Sequence, residues 1–118
     1  MTALFLTDDL MFASRVGAQA NALNVTIETV NSVAHLDESL SCQPILFVVD
    51  LAAVATDQLR STITMVRDRA PDATIIAFGP HVWEAKLLAA QESGCDQVLT
   101  RGQFHKDMTT LLQQYLLE

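Results

Sequence analysis

Basic residues are scarce in this chain, and glycine, proline and cysteine are scarcer still. Seven Lys and Arg stand against 14 Asp and Glu, which leaves a net charge of −7. A nucleic-acid partner needs a basic face, so this charge argues against direct binding of DNA or RNA, and equally against anionic membrane surfaces. With 4 Gly and 3 Pro among 118 residues, the composition is not that of a low-complexity chain.

Two cysteines, Cys42 and Cys95, are too few for a fold stapled by disulfides. Neither belongs to a CxxC pair, which argues against a zinc site. We therefore expect two buried thiols in a reducing compartment. The N-terminus MTALFLTDDL has no basic stretch and does not resemble a signal peptide, and no apolar run approaches the length of a membrane span. These absences predict a cytoplasmic protein.

Five short apolar runs punctuate the chain and predict five strands. They are rich in β-branched residues, as buried parallel strands are, and cover residues 3–6, 25–30, 45–49, 73–78 and 97–99. The second run alternates apolar and polar residues, which predicts a half-exposed strand. Half of the residues are hydrophobic and 18% are charged, so a single domain spanning 1–118 can build its own core.

Between these runs, apolar residues recur every three or four positions, the spacing of amphipathic helices. The clearest stripe ends the chain, the stretch 32–41 is the weakest, and Val82 to Ala89 indicate a helix rich in small residues. Thr100 and Gln103 have the spacing of a capping box, which predicts where the last helix begins. The order predicts an α/β fold, a doubly wound five-stranded parallel sheet of flavodoxin-like (βα)5 topology.

Carboxylates stand where two of the predicted strands end. Asp8 and Asp9 follow the first strand, and Asp50 ends the third. Ligands of open parallel sheets bind outside the carboxyl ends of the strands, so these side chains are expected to converge if the two strands are neighbours. Mg2+ prefers oxygen ligands and relieves the repulsion between them, which predicts a magnesium site. The structural alternative is that each aspartate caps a helix or a turn.

The pattern resembles the receiver domain of two-component response regulators, the CheY-like family, over the whole chain. The resemblance rests on Asp8-Asp9, on Asp50, and on the segment Gly94-Cys95-Asp96-Gln97-Val98-Leu99-Thr100-Arg101, which is similar to the family's Gly-Ala-x-x-apolar-x-Lys-Pro signature. It implies that Asp50 is the phosphoacceptor, that the three aspartates hold Mg2+, and that no organic cofactor is used. In the family mechanism this carboxylate attacks an activated phosphoryl group, while the metal and a lysine neutralise the developing charge.

Four positions depart from the family pattern. Gly79 stands where a Ser or Thr hydroxyl binds the phosphoryl group, and Pro80 follows where a backbone N–H donates to it. Arg101 replaces the lysine and stays a candidate phosphate contact, although its planar fork differs from a compact ammonium. Gly102 replaces the usual proline. Two neutral donors are therefore missing, and each lost hydrogen bond to a charged acceptor costs about 1.5–3 kcal/mol.

These departures predict a signalling module of the pseudo-receiver kind, not an enzyme, with phosphorylation of Asp50 impaired or absent. Its function is then carried by contacts with another protein, a histidine kinase or a downstream signalling protein, and a homodimer is left open. The first alternative is a working phosphoacceptor that uses Asp50 with Mg2+. Trp83 and His81, close to Gly79 and Pro80, are candidates for the partner surface; the plainer interpretation is a half-buried packing residue and a solvent-facing one.

The second alternative is a flavodoxin-like cofactor-binding protein or enzyme on the same fold. A flavin-phosphate site needs a loop rich in Ser, Thr and Gly after the first strand. Here that loop is Thr7-Asp8-Asp9-Leu10, whose carboxylates repel phosphate, and no GxGxxG fingerprint is present. A bound flavin in the purified protein would favour this alternative.

Overall fold

Strands and helices alternate along the chain in the order that the sequence predicted. The computed structural model describes residues 2–116. Its elements are β1 (Thr2–Leu6), α1 (Leu10–Ala22), β2 (Thr26–Val30), α2 (Leu36–Ser39), β3 (Leu46–Asp50), α3 (Leu59–Arg69), β4 (Thr74–Gly79), α4 (Glu84–Glu92), β5 (Gln97–Thr100) and α5 (Arg101–Leu116). The strands form one parallel sheet in the order β2-β1-β3-β4-β5. This is the flavodoxin-like doubly wound topology, so the predicted fold class is confirmed.

The core lies in two layers, one on each face of the sheet. Successive strand residues point to opposite faces, so Leu4 and Leu6 pack with α2, α3 and α4, whereas Ala3 and Phe5 pack with α1 and α5. Burial on both faces explains why β1, β3 and β4 are continuous apolar runs in the sequence. None of the helices within residues 2–116 is long and apolar enough to cross a membrane.

The stretch 32–41 was the weakest helical prediction. It folds as the single-turn α2, with one 3-10 turn before it and one after it. Leu36 and Leu40 are its buried apolar anchors, and both are fully buried. Two buried residues one turn apart are enough to hold a short helix against the sheet, but they do not stabilise a longer one. The segment ends at Gln43, which has a left-handed φ of 52°.

Side-chain caps define the beginning of both helices on the α1/α5 face. Asp9 accepts a hydrogen bond from the Phe12 N–H at 3.0 Å and so caps α1. Thr100 and Gln103 form the predicted capping box, in which the Gln103 N–H donates to Thr100 Oγ1 and the Thr100 N–H donates to Gln103 Oε1. In contrast, α4 begins at Glu84, later than predicted, and leaves Val82 in the preceding turn, 70% exposed.

The prediction of two buried thiols is wrong. Cys42 is exposed at the end of a 3-10 turn, and Cys95 is only partly buried just before β5. Both are free thiols. Burial raises the pKa of Cys95 to about 11, so this thiol stays protonated at neutral pH and is a weak nucleophile. The sequence offered no apolar pattern around Cys42 from which its exposure could be judged.

Four phenylalanines tie the two capped helices to the sheet. Phe104 of α5 stacks on Phe78 of β4, with centroids 4.5 Å apart, and Phe12 of α1 meets Phe78 edge-on at 5.4 Å. Phe5 of β1 lies about 6 Å from the other three rings. The cluster fixes the ends of α1 and α5 that border the carboxyl edge of the sheet.

Truncation of this cluster is expected to destabilise the whole domain. Phe104→Ala removes a ring that is 3% exposed and should lower the free energy of unfolding by about 3–5 kcal/mol, since a cavity remains where the ring packed. Leu88→Ala, at a site that is 55% exposed, is the control and should change it by less than about 0.5 kcal/mol. Urea unfolding of the two variants and the parent measures the difference; equal losses would contradict this account of the core.

Candidate functional site

The candidate site lies at the carboxyl edge of the sheet, between β1 and β3. The chain leaves β1 toward β2 on one side, while β3 lies on the other side, so this is the topological switch point of the sheet. Asp8 and Asp9 follow β1 here, and Asp50 is the last residue of β3. The sheet therefore brings the predicted segments to one edge, as expected for neighbouring strands.

Asp50 is almost completely buried, with 1% of its surface exposed. Its Oδ2 accepts a hydrogen bond from Thr7 Oγ1 at 2.7 Å, and its Oδ1 accepts one from the Ala52 N–H at 3.0 Å. The second bond caps the 3-10 turn Leu51–Ala53. Both carboxylate oxygens are thus engaged by neutral donors inside the protein.

Asp9 is engaged in a different way. Besides capping α1 through Oδ1, it accepts a hydrogen bond at Oδ2 from Arg101 Nη2 at 2.6 Å. The Phe12 N–H first, and the Arg101 guanidinium second, hold the pKa of the Asp9 carboxyl below its usual value of 3.8. Asp8, in contrast, is exposed to solvent.

Thr7 is a member of the site that sequence reasoning missed. Its buried hydroxyl donates to Asp50 and accepts a hydrogen bond from the Asp9 N–H at 3.1 Å, so it joins the two strand ends. The available signal was a hydroxyl at the close of an apolar run, directly before the acidic pair. That signal is weak, because Thr is common at strand ends for reasons of β-propensity alone.

The three predicted metal ligands do not form a ligand set in this arrangement. Among residues 2–116, no group of three or more His, Cys, Asp and Glu side chains is placed to hold a metal ion. Asp9 and Asp50 each cap a helix or a turn, which is the alternative that the sequence left open, and Asp9 is already paired with a cation. The side chains present therefore do not fit a Mg2+ site as they are arranged here.

Apolar atoms fill the space beside Gly79. A Cβ at this position would lie 3.3 Å from Leu51 Cδ1 and 3.6 Å from Trp83 Cε3. The first of these distances is tighter than ordinary van der Waals contact, so a Ser or Thr here would force Leu51 to shift. Pro80, which lacks a backbone N–H, follows directly at the end of β4.

Arg101, the candidate phosphate contact, begins α5 and turns to Asp9 rather than to Asp50. Its guanidinium lies over the Phe12 ring, 4.6 Å from the centroid. Gly102 follows in the first turn of α5, where a Cβ would meet no neighbouring atom, so the site places no steric demand on glycine there. The planar side chain of arginine suits this double contact with a ring and a carboxylate.

Lys86 on α4, beside Trp83, is a second residue that the sequence did not reveal. Its Nζ lies 5.1 Å from the centre of the ring of Trp83, the residue just before α4. Burial lowers the pKa of Lys86, and the negative charge of Asp50 raises it in part. Only the tertiary structure could identify Lys86, because it lies on a different element, far from Asp50 along the chain.

Comparison with known proteins is informative only at the level of structure. No family model matches the sequence, and no curated protein matches it. The solved structures that resemble it include a two-component response regulator from Clostridium difficile, with a TM-score of 0.80, 13% identity, and coverage of 98% of this chain and 95% of that one. A response regulator from Burkholderia pseudomallei, solved with a phosphorylated aspartic acid, a calcium ion and citrate, has a TM-score of 0.79 at 18% identity.

This chain spans 66% of the Burkholderia protein, which in turn covers 98% of this chain. The receiver domain of a sensor histidine kinase from Pseudomonas aeruginosa, solved with a magnesium ion in its active-site cleft, has a TM-score of 0.78, 14% identity, and coverage of 97% and 95%. The fold is that of a response-regulator receiver domain. At these identities the similarity establishes the receiver fold alone.

One rim of this receiver fold exposes apolar side chains. Val82 and Leu88 are 70% and 55% exposed, and Trp83 is 37% exposed. Together with Thr56 and Lys86, Val82 and Trp83 line a shallow groove of about 440 Å3. His81 is also exposed on this rim, as the plainer interpretation of that residue expected. The partner-surface candidates from the sequence therefore lie beside the Gly79 edge of the receiver.

The lowered pKa of Asp9 predicts a specific pH dependence of stability. Ionised Asp9 favours the folded receiver above about pH 4, and this contribution is lost as the pH falls through the depressed folded-state pKa. Asp9→Asn keeps an oxygen for the cap but removes the charge. The stability difference between parent and variant should therefore be largest near neutral pH and shrink below about pH 4.

Urea unfolding across this pH range measures the effect. Asp72→Asn, in an exposed turn before β4, is the matched control and should show no such dependence. A difference between parent and Asp9→Asn that does not change with pH would contradict the role assigned to the Asp9 charge.

Proposed function

We propose that this receiver-fold chain is a signalling module that acts through protein contacts, without phosphorylation at Asp50. The observation that carries the proposal is the state of the Asp50 carboxylate. It is 1% exposed, and its two oxygens accept hydrogen bonds from Thr7 and Ala52. A carboxylate nucleophile needs an approach path for its substrate, and the burial of Asp50 leaves none in this conformation.

The loss of hydrogen-bond donors near Asp50 also disfavours a phosphorylated form. Gly79 has no hydroxyl, Pro80 has no N–H, and the guanidinium of Arg101 is taken up by Asp9. Each missing hydrogen bond to a charged phosphoryl oxygen weakens the product by about 1.5–3 kcal/mol. An aspartyl phosphate formed here would therefore be poorly stabilised relative to the free carboxylate.

The working phosphoacceptor remains the second candidate, because one observation favours it. Burial lowers the pKa of Lys86 and the negative charge of Asp50 raises it in part, so Lys86 offers a cation that could stand in for the lysine of the family signature. The fold is shared with a response regulator that carries a phosphorylated aspartic acid. The flavodoxin-like alternative has less support, since the loop after β1 presents Asp8 and Asp9 where a flavin phosphate would bind.

Incubation with acetyl phosphate and Mg2+ distinguishes the first two candidates. We expect no phosphate-sized gain in intact mass, because Asp50 is buried and Gly79 and Pro80 lack the hydrogen-bond donors that would stabilise a phosphoryl group. A known receiver domain treated in parallel shows that the reagent is active, and circular dichroism shows that the chain is folded.

Asp50→Asn is the matched control, since it preserves the size of the side chain. A mass gain in the parent that disappears in Asp50→Asn would overturn the proposal and establish the phosphoacceptor. A gain that persists in the variant would indicate modification elsewhere and leave Asp50 unphosphorylated, as proposed.

The partner surface in this proposal is the exposed rim at the beginning of α4, with Val82, Trp83 and Leu88. Its partner is a protein of a signalling pathway, a histidine kinase or a downstream component, or a second copy of the chain. Apolar side chains around an indole are the composition that anchors protein interfaces. Two of these side chains are mostly exposed, so their substitution should not unfold the receiver.

Site-specific photo-crosslinking in cells that express the chain tests this surface. A crosslinker at position 82 or 88 should give a discrete protein adduct, and its mass should distinguish a homodimer from a different partner. The same group at Glu38, exposed on α2 on another part of the surface, should not give that adduct. Adducts that are equal at 38 and 82, or absent at both 82 and 88, would contradict the assignment.

A further inference from the structure

The ion pair between Arg101 and Asp9 connects residues 92 positions apart in the chain. Its side chains are 42% and 34% exposed, and ion pairs with that exposure usually contribute little. This pair differs from an ordinary surface pair because the backbone on each side of it is already held. Its geometry is therefore set by the fold rather than by the attraction of the two charges.

Asp9 is fixed at the beginning of α1 by two hydrogen bonds. Its Oδ1 accepts from the Phe12 N–H, and its own N–H donates to the buried hydroxyl of Thr7. These bonds orient Oδ2 without any contribution from Arg101. The carboxylate is thus preorganised to receive a cation at that oxygen.

Arg101 is fixed at the beginning of α5. The reciprocal bonds of Thr100 and Gln103 determine where the helix starts, and the Phe12 ring supports the guanidinium from below. A guanidinium that is stacked on a ring and bonded to a carboxylate loses little further freedom when it pairs. The positive charge is therefore held in a defined place, 2.6 Å from Asp9 Oδ2.

This arrangement determines what else the acidic edge can bind. Mg2+ requires near-octahedral oxygen coordination, and a dication at Asp9 Oδ2 would have to displace or approach a fixed guanidinium. Asp50 compensates little, because it is 1% exposed and each of its oxygens already accepts a hydrogen bond, from Thr7 or from Ala52. Repulsion between the two cations then opposes metal binding at the edge where the receiver fold carries a metal in other proteins.

We infer that Arg101 is a built-in cation that takes the place of a divalent metal at Asp9, so that the acidic edge is neutralised without Mg2+. The inference goes beyond the proposed function, since it concerns the metal at Asp9 and not the phosphoryl group at Asp50. Arg101 is a positioning residue in this account. It joins α5 to α1 through Asp9 and makes the conformation of the edge independent of divalent cations.

Titration with MgCl2, followed by calorimetry and by the thermal midpoint of unfolding, tests the inference. The parent should show no saturable binding and no rise in midpoint at millimolar Mg2+ beyond that in NaCl of equal ionic strength. Arg101→Gln frees Asp9 Oδ2 and should make Mg2+ binding detectable, with an apparent association constant roughly tenfold or more above the upper limit set by the parent and a matching rise in midpoint. Combining this change with Asp9→Asn should abolish the gain.

Arg15→Gln is the matched control for net charge. Arg15 lies on α1 and lines the same shallow pocket as Arg101 and Phe12, but it makes no ion pair within residues 2–116. A gain in Mg2+ affinity as large in Arg15→Gln as in Arg101→Gln would overturn the inference, since charge alone would explain it. Saturable Mg2+ binding by the parent that Asp9→Asn abolishes would also overturn it.

Arg101→Met repeats the test if the glutamine variant fails to fold, because methionine keeps an apolar contact with Phe12 while it removes the charge. If a folded Arg101 variant shows no gain in Mg2+ affinity, the inference that Arg101 takes the place of the metal is likewise contradicted. None of these readouts involves acetyl phosphate, so failure here leaves the proposal on Asp50 intact, and the reverse is also true.

Discussion

Pairing of β1 with β3 at the centre of the parallel sheet positions every group at the carboxyl edge. The register of the two strands brings Thr7 beside Asp50, and a 2.7 Å hydrogen bond closes the gap between them. The same hydroxyl accepts the Asp9 N–H, and Asp9 in turn binds Arg101. A continuous series of hydrogen bonds therefore runs from the buried end of β3 to the beginning of α5. All of these bonds depend on the pairing of β1 with β3.

This series gives the acidic residues structural duties. Asp9 caps α1 and Asp50 caps the turn after β3, so removal of either charge affects the fold as well as any ligand. Buried polar groups must be satisfied, and within residues 2–116 no buried side-chain nitrogen or oxygen lacks a partner. The edge is thus complete without a ligand. Such an edge fits the signalling module proposed above, whose exposed rim at Val82 and Trp83 would then keep a constant shape.

The fold was predictable because its signals are local and repeated. Five apolar runs, separated by segments with the periodicity of amphipathic helices, leave few possible topologies. The capping box can be recognised from two residues three positions apart, Thr100 and Gln103. The boundary of α4 and the short helix in the stretch 32–41 were less predictable, since their apolar patterns are weak. Exposure of Cys42 was missed for a related reason: burial depends on what packs over a residue, which a lone position does not show.

The sequence by itself determined the α/β class, the positions of the acidic residues at strand ends, and the loss of a hydroxyl at Gly79 and of an N–H at Pro80. These properties belong to single residues or to short periodic segments. Only the tertiary structure decided which charges interact: Arg101 pairs with Asp9, and the charge of Asp50 partly offsets the lowering of the Lys86 pKa by burial. Electrostatic pairing and desolvation depend on distances between elements far apart in the chain, and no local pattern encodes those distances.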